Sequence, residues 1–89
     1  MKYFVYIVQC SDTTLYTGYT FDLEKRINQH NSSNQGAKYT KMRRPVKLVY
    51  YEILPNQKEA IKREREIKKL SRDKKLLMVN DFKNNAMQL

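Results

Sequence analysis

Two tyrosines ten positions apart, Tyr6 and Tyr16, are followed closely by Arg26 and His30, and much later by a lone carboxylate, Glu64. Phenols and an imidazole move or hold protons near a reacting water. A guanidinium clamps the non-bridging oxygens of a phosphate, and a carboxylate can hold a hard divalent cation. The chain that carries this set has 18 Lys and Arg against 9 Asp and Glu, a net charge of +9. Acid–base groups, a phosphate clamp and a metal ligand on a strongly basic chain point together to a phosphodiester.

Taken singly, each residue has a plainer explanation. Ala60, Glu64 and Ile67 recur at i, i+4, i+7, so Glu64 projects from an apolar stripe. A carboxylate there must be paired, protonated or bound to a metal, and a salt bridge to one of the surrounding Lys or Arg residues is the simplest of the three. Arg26 alone reads as a surface cation and His30 alone as a hydrogen-bonded core histidine. With seven tyrosines in the chain, most must pack on a sheet. The force of the pattern lies in the combination. No Cys/His spacing suggests zinc, and two glycines are too few for a P-loop or dinucleotide-binding turn.

The elements that must position these groups follow from periodicity. Residues 3–9 and 14–19 read as strands, with Ser11-Asp12-Thr13 as the turn that pairs them into an antiparallel hairpin. Tyr6 and Tyr16 then stand on neighbouring strands, on one face if the register allows. Asp22 caps a helix on which Leu23, Ile27 and His30 share the buried side and Arg26 lies on its flank. The polar stretch 31–36 ends that helix, and 37–45 is a basic connector carrying Tyr39 and Thr40. Residues 46–53 read as a third strand. Asn56 with Glu59 forms a capping box for a helix reaching about Leu70, and Ser71 caps a last helix through about Val79. The order β-β-α-β-α-α implies an α+β fold, a three-stranded antiparallel sheet flanked by helices. Residues 1–82 form one domain, with 83–89 as a frayed tail.

Eighty-nine residues supply one modest core. The single Cys10 excludes an internal disulfide and suits a reducing compartment. The longest apolar run, Phe4 to Val8, is too short to span a bilayer, so a cytoplasmic protein without membrane contact is expected. Lys38, Lys41, Arg43, Arg44 and Lys47 fall within ten residues that hold no acidic side chain, and a second basic block spans Lys62 to Lys75. The expected partner is nucleic acid, with Lys38, Lys41, Arg43, Arg44 and Lys68 as the contacting cations.

With these residues in place, the chain resembles the GIY-YIG nuclease superfamily, and most closely its small stand-alone bacterial members. Phe4-Val5-Tyr6 stands where the first signature tripeptide lies and Tyr16-Thr17-Gly18 where the second lies. Arg26 falls eight residues after Gly18 in a Leu-x-x-Arg context, His30 occupies the Tyr/His position, and Glu64 occupies that of the metal-binding glutamate. The match covers roughly residues 2–79. Phe4 replaces the first signature's glycine, and Tyr19 follows Gly18 where some relatives carry lysine.

The resemblance implies an endonuclease that hydrolyses DNA, with RNA as the alternative, in DNA repair or processing. One Mg²⁺ or Mn²⁺ would sit on Glu64, Arg26 would brace the phosphate, and Tyr6 or Tyr16 would deprotonate or orient the attacking water. A phenol titrating near 10 would need the metal, Arg26 or a hydrogen-bonded His30 to lower its pKa. Gly18 would let the backbone turn from strand into helix. Larger relatives join this core to a separate DNA-binding domain, so targeting here would fall to the basic segments or to a protein partner. Two readings compete with the enzyme: a non-catalytic nucleic-acid-binding module, and a basic ribosome-associated protein that leaves the five-residue constellation as coincidence.

Overall fold

The computed structural model describes residues 2–32 and 37–87. β1 (Tyr3–Gln9) and β2 (Leu15–Thr20) are followed by α1 (Leu23–Ser32), a one-turn helix α2 (Lys38–Lys41), β3 (Lys47–Leu54), α3 (Gln57–Lys68) and α4 (Arg72–Met87). The sheet is antiparallel, in the order β2-β1-β3. The expected α+β architecture is therefore present.

β1 is central because its sequence is apolar on both faces. Val5, Tyr6, Ile7 and Val8 are all buried. Successive strand residues point to opposite sides, so one run of four seeds two cores. Val5 and Ile7 pack with Ala60 and Ile67 of α3, joined by Met78 and Val79 of α4. Tyr6 and Val8 pack with Cys10 and Val46, joined by Leu23 and Ile27 of α1.

The local signals explain the ends. Thr13 takes a left-handed backbone, φ 69°, in a turn closed by Cys10 N–H to Thr14 O at 2.8 Å. Asp12 Oδ1 accepts from the Thr14 hydroxyl and N–H and holds that turn. Asp22 Oδ1 caps α1 through the Lys25 N–H, and Asn56 Oδ1 caps α3 through the Glu59 N–H at 2.9 Å.

Three expectations need correction. The polar stretch from Asn31, expected to end α1 as a loop, opens with two residues that are still helical, Asn31 and Ser32. α3 stops at Lys68, two residues short of Leu70. The last helix does not fray from Lys83 but continues to Met87, because Phe82 rests edge-on against Tyr50 and Tyr51 of β3, 5.4 and 5.2 Å between ring centres. The rest of that stretch, 33–36, and the last two residues of the tail lie outside the described residues.

Candidate active site

The hairpin register decides whether the two tyrosines meet. Tyr6 pairs with Gly18, and Val8 pairs with Tyr16. Tyr6 and Tyr16 are therefore diagonal neighbours on one face. α1 crosses that face, and both phenol rings meet the His30 ring edge-on at 5.7 and 5.5 Å. The helical spacing that put His30 on the buried side of α1 holds fully, since it is 0% exposed.

Tyr6 is the hub. Its Oη lies 2.7 Å from His30 Nε2. Arg26 stands beside the same oxygen as a hydrogen-bonding neighbour, and the charge of Glu64 reaches it from α3, which packs against β1 and β2. Tyr6, Tyr16, Arg26 and His30 thus gather on one face of the hairpin, and Glu64 acts on Tyr6 through its charge. One expected property, a phenol made more acidic by its neighbours, does not hold. Burial pushes the Tyr6 hydroxyl up to about 12, outweighing the opposing pull of Arg26, so the surroundings raise this phenol rather than activate it. With 1% of its surface exposed, Tyr6 is also an interior group. His30 moves the other way: burial, then the charges of Arg26 and Arg44, lower it to about 4 and keep the imidazole neutral at pH 7.

Gly18 also acts differently from the expectation. It sits in mid-strand with ordinary backbone angles, not at a turn into the helix. A Cβ there would lie 2.5 Å from Tyr6 Oη and 2.7 Å from its Cζ. Glycine is required because the Tyr6 ring lies directly over it.

Glu64 forms the salt bridge that its position demanded, to Lys68 Nζ at 3.2 Å, one turn along α3. Lys68, expected on nucleic acid, is thereby engaged with the acidic group of the site. The Glu64 side chain is 15% exposed and Lys68 49% exposed, so the carboxylate lies near the rim with a half-exposed partner that a cation can displace. Among the described residues no group of three or more His, Cys, Asp or Glu is gathered. A single accessible carboxylate fits Mg²⁺ or Mn²⁺, which keep several waters and share substrate phosphate oxygens, and does not fit zinc.

The basic connector is more structural than its composition suggested. Arg44 Nε donates to His30 O and Nη2 to Gln29 O, covering the carbonyl end of α1. Arg43 pairs with Asp12 at 3.1 Å, donates to Tyr39 O and lies 4.0 Å over the Tyr39 ring. Tyr39 in turn stacks on Tyr16 at 5.8 Å. Lys38 and Lys41 are exposed on the same helix. Two residues without an expected role belong to the site: Tyr39, and Thr40, whose buried Oγ1 lies 2.8 Å from His30 Nδ1. Nothing in the spacing of Tyr39 and Thr40 announces contacts that span 23 and 10 residues.

Paired tyrosines on a hairpin face an Arg–His helix in a small α+β domain, with a glutamate on α3. The chain belongs to the GIY-YIG family: the profile of the GIY-YIG catalytic domain matches residues 2–76. It is 58% identical over 80 residues to a UPF0213 protein of Staphylococcus saprophyticus, covering 90% of this chain and 96% of that one. A UPF0213 protein of Syntrophus aciditrophicus is 55% identical over 78 residues, 88% and 90% of the two chains. The solution structure of a UPF0213 protein of Bacillus halodurans matches at 46% identity and TM-score 0.57, covering 90% of this chain and 84% of that one. The E. faecalis protein EF2693 matches at 37% identity and TM-score 0.62, covering 92% and 86%. Family membership supports a nuclease reading at the level of the catalytic domain. Among the described residues no helix is long and apolar enough to cross a membrane.

Proposed function

We propose that this chain is a divalent-metal-dependent endonuclease acting on DNA. The observation that carries the reading is that Tyr6 and Tyr16 share the ring of His30, with Tyr6 Oη hydrogen-bonded to it and the charges of Arg26 and Glu64 acting on that phenol.

In this reading Glu64 holds one Mg²⁺ or Mn²⁺, which supplies charge neutralisation at the phosphoryl and leaving oxygens when bound. Arg26 braces the non-bridging oxygens through charge-assisted hydrogen bonds. Tyr16, half-buried beneath the stacked Tyr39 ring, orients the attacking water, while Tyr6 accepts its proton. Lys38 and Lys41 draw the backbone of the substrate toward the Tyr16–Tyr39–Arg43 stack. Lys68, released from Glu64, becomes available to the same polyanion.

A binding module without catalysis is favoured by one specific observation, the interior position of Tyr6 and its raised pKa. The two readings part at Glu64. Labelled single-stranded, duplex and branched DNA, and RNA, are incubated with Mg²⁺ or Mn²⁺ and either wild-type protein or Glu64→Gln. A nuclease cuts at least one substrate and loses the cutting in the variant. A binder retains both proteins' affinity and cuts nothing.

A further inference from the structure

His30 has two ring nitrogens, and which one carries the proton decides what the imidazole can do for Tyr6. The surroundings decide it from both ends. At one end Thr40 Oγ1 lies 2.8 Å from Nδ1 and also 2.9 Å from the Ala37 carbonyl oxygen. A carbonyl only accepts, so the single hydroxyl proton of Thr40 goes to Ala37 O, and the lone pairs of Oγ1 face Nδ1. At the other end Tyr6 Oη has Nε2 at 2.7 Å and the Arg26 guanidinium as its other polar neighbour. A guanidinium only donates, so the Tyr6 proton has Nε2 as its acceptor. Both ends require the same direction: Tyr6 O–H to Nε2, Nδ1–H to Thr40 Oγ1, Thr40 O–H to Ala37 O.

We infer that Thr40 is a positioning residue that holds His30 in the Nδ1–H form, leaving Nε2 bare toward Tyr6 as the terminus for a proton. The inference rests on the nuclease reading for its consequence, though not for its geometry. When the attacking water gives a proton to Tyr6 Oη, the original Tyr6 proton passes to Nε2. The phenol is then neutral before and after, the imidazole becomes imidazolium, and the water oxygen is left as the nucleophile. The relay replaces a buried phenolate with an imidazolium that burial and the charges of Arg26 and Arg44 disfavour at rest, so Nε2 holds the proton only during the cleavage step. The backbone supports the arrangement. Arg43 bonds to Asp12 and to Tyr39 O, and Arg44 bonds to the His30 and Gln29 carbonyls, so the one-turn helix that carries Thr40 is fastened to the hairpin turn and to α1.

His30 is the only histidine, so its ring nitrogens give one unambiguous set of signals in long-range ¹H–¹⁵N spectra of labelled protein. At pH 7 the expected pattern is a pyrrole-type shift for Nδ1 and a pyridine-type shift for Nε2. Thr40→Val keeps the side-chain shape, removes the acceptor and is expected to move the ring toward the other tautomer or a mixture. Thr40→Ser restores the wild-type pattern. In the cleavage assay Thr40→Val is expected to lower kcat by about 10–100-fold with KM little changed, as loss of a group that orients a reacting one does, and Thr40→Ser to recover it. A wild-type ring protonated on Nε2, or a Thr40→Val spectrum identical to wild type, overturns the inference whatever the nuclease assay gives. A changed tautomer with undiminished cleavage removes the positioning role. Absence of cleavage by wild type, with the tautomer pattern as expected, fails the nuclease reading and leaves Thr40's hold on the ring established.

Discussion

Replacing Gly18 by alanine adds one methyl group, which lands 2.5 Å from Tyr6 Oη, 2.7 Å from Cζ and 3.2 Å from Cε2. Ordinary contact begins at 3.4 Å, so the hydroxyl has to retreat by about 0.9 Å (3.4 − 2.5). The far end of an exposed side chain could do that at little cost. Tyr6 cannot: the ring is 1% exposed, is packed with Val8 and Val46, and is hydrogen-bonded to His30 at 2.7 Å. A retreat of that size leaves the narrow distance range of an O–H···N bond. Overpacking costs about 1–3 kcal/mol and a broken buried hydrogen bond a similar amount, with overlap because one movement causes both. We expect Gly18→Ala to destabilise by about 2 kcal/mol or more, which for a domain of this size lowers Tm by about 10 °C or more. Thermal and urea denaturation of four proteins measure it: wild type, Gly18→Ala, Tyr6→Phe and the double variant. Because alanine already displaces the hydroxyl, Tyr6→Phe should cost clearly less in the Gly18→Ala background than in wild type. A Tm within about 2 °C of wild type for Gly18→Ala, or strictly additive losses, would refute the reasoning.

The remaining predictions concern groups around the same site. His30 titrates near 4 in the folded chain against an ordinary 6.5, so between these values the unfolded chain binds a proton that the folded chain does not. Stability therefore falls as pH drops from about 6.5 toward 4, by about 3 kcal/mol in all, and His30→Gln should flatten that stretch of the pH–stability curve. Burial raises the Glu52 carboxyl, but hydrogen bonds from Arg63 and Tyr50 more than offset this and leave it below its usual range. Its contribution is present above its ordinary pKa and lost as pH falls through the lower folded value. Arg63→Met should thus weaken the fold at pH 7 and reduce the acid-dependent loss seen in urea midpoints. Asn31 fastens α1 to the start of β3 by donating to Val46 O at 3.0 Å and accepting from Val46 N–H at 2.7 Å. Asn31→Ala should cost about 1–3 kcal/mol and speed amide exchange at Val46.

What could be read from the sequence divides by range. Strands, caps and the buried side of α1 were legible because runs of β-branched and aromatic residues, Asp22, Asn56 and the Leu23–Ile27–His30 spacing are local signals. Tyr6 and Tyr16 meet through the hairpin register, which the short turn nearly dictates. The role of Gly18 was misread because glycine's usual use is conformational, whereas here it leaves room for a ring from the next strand. The activation expected for Tyr6 reversed because burial, a property of the assembled core, exceeds the effect of one neighbouring guanidinium. Tyr39 and Thr40 read only as members of a basic connector. Only folding brings them against Tyr16 and His30, and only then do Arg43 and Arg44 turn out to hold the connector in place.

The central claim is that Glu64 serves a metal-dependent phosphodiester cleavage. Glu64→Gln tests it with little structural disturbance, because the lost partner is a half-exposed Lys68. Labelled DNA of single-stranded, duplex and branched form is incubated with Mg²⁺ or Mn²⁺, with chelator controls and with the fold of both proteins verified by circular dichroism. The account predicts cleavage by wild type that needs the metal and is lost in Glu64→Gln while DNA binding persists. Metal-dependent cleavage of equal rate in the two proteins would contradict it.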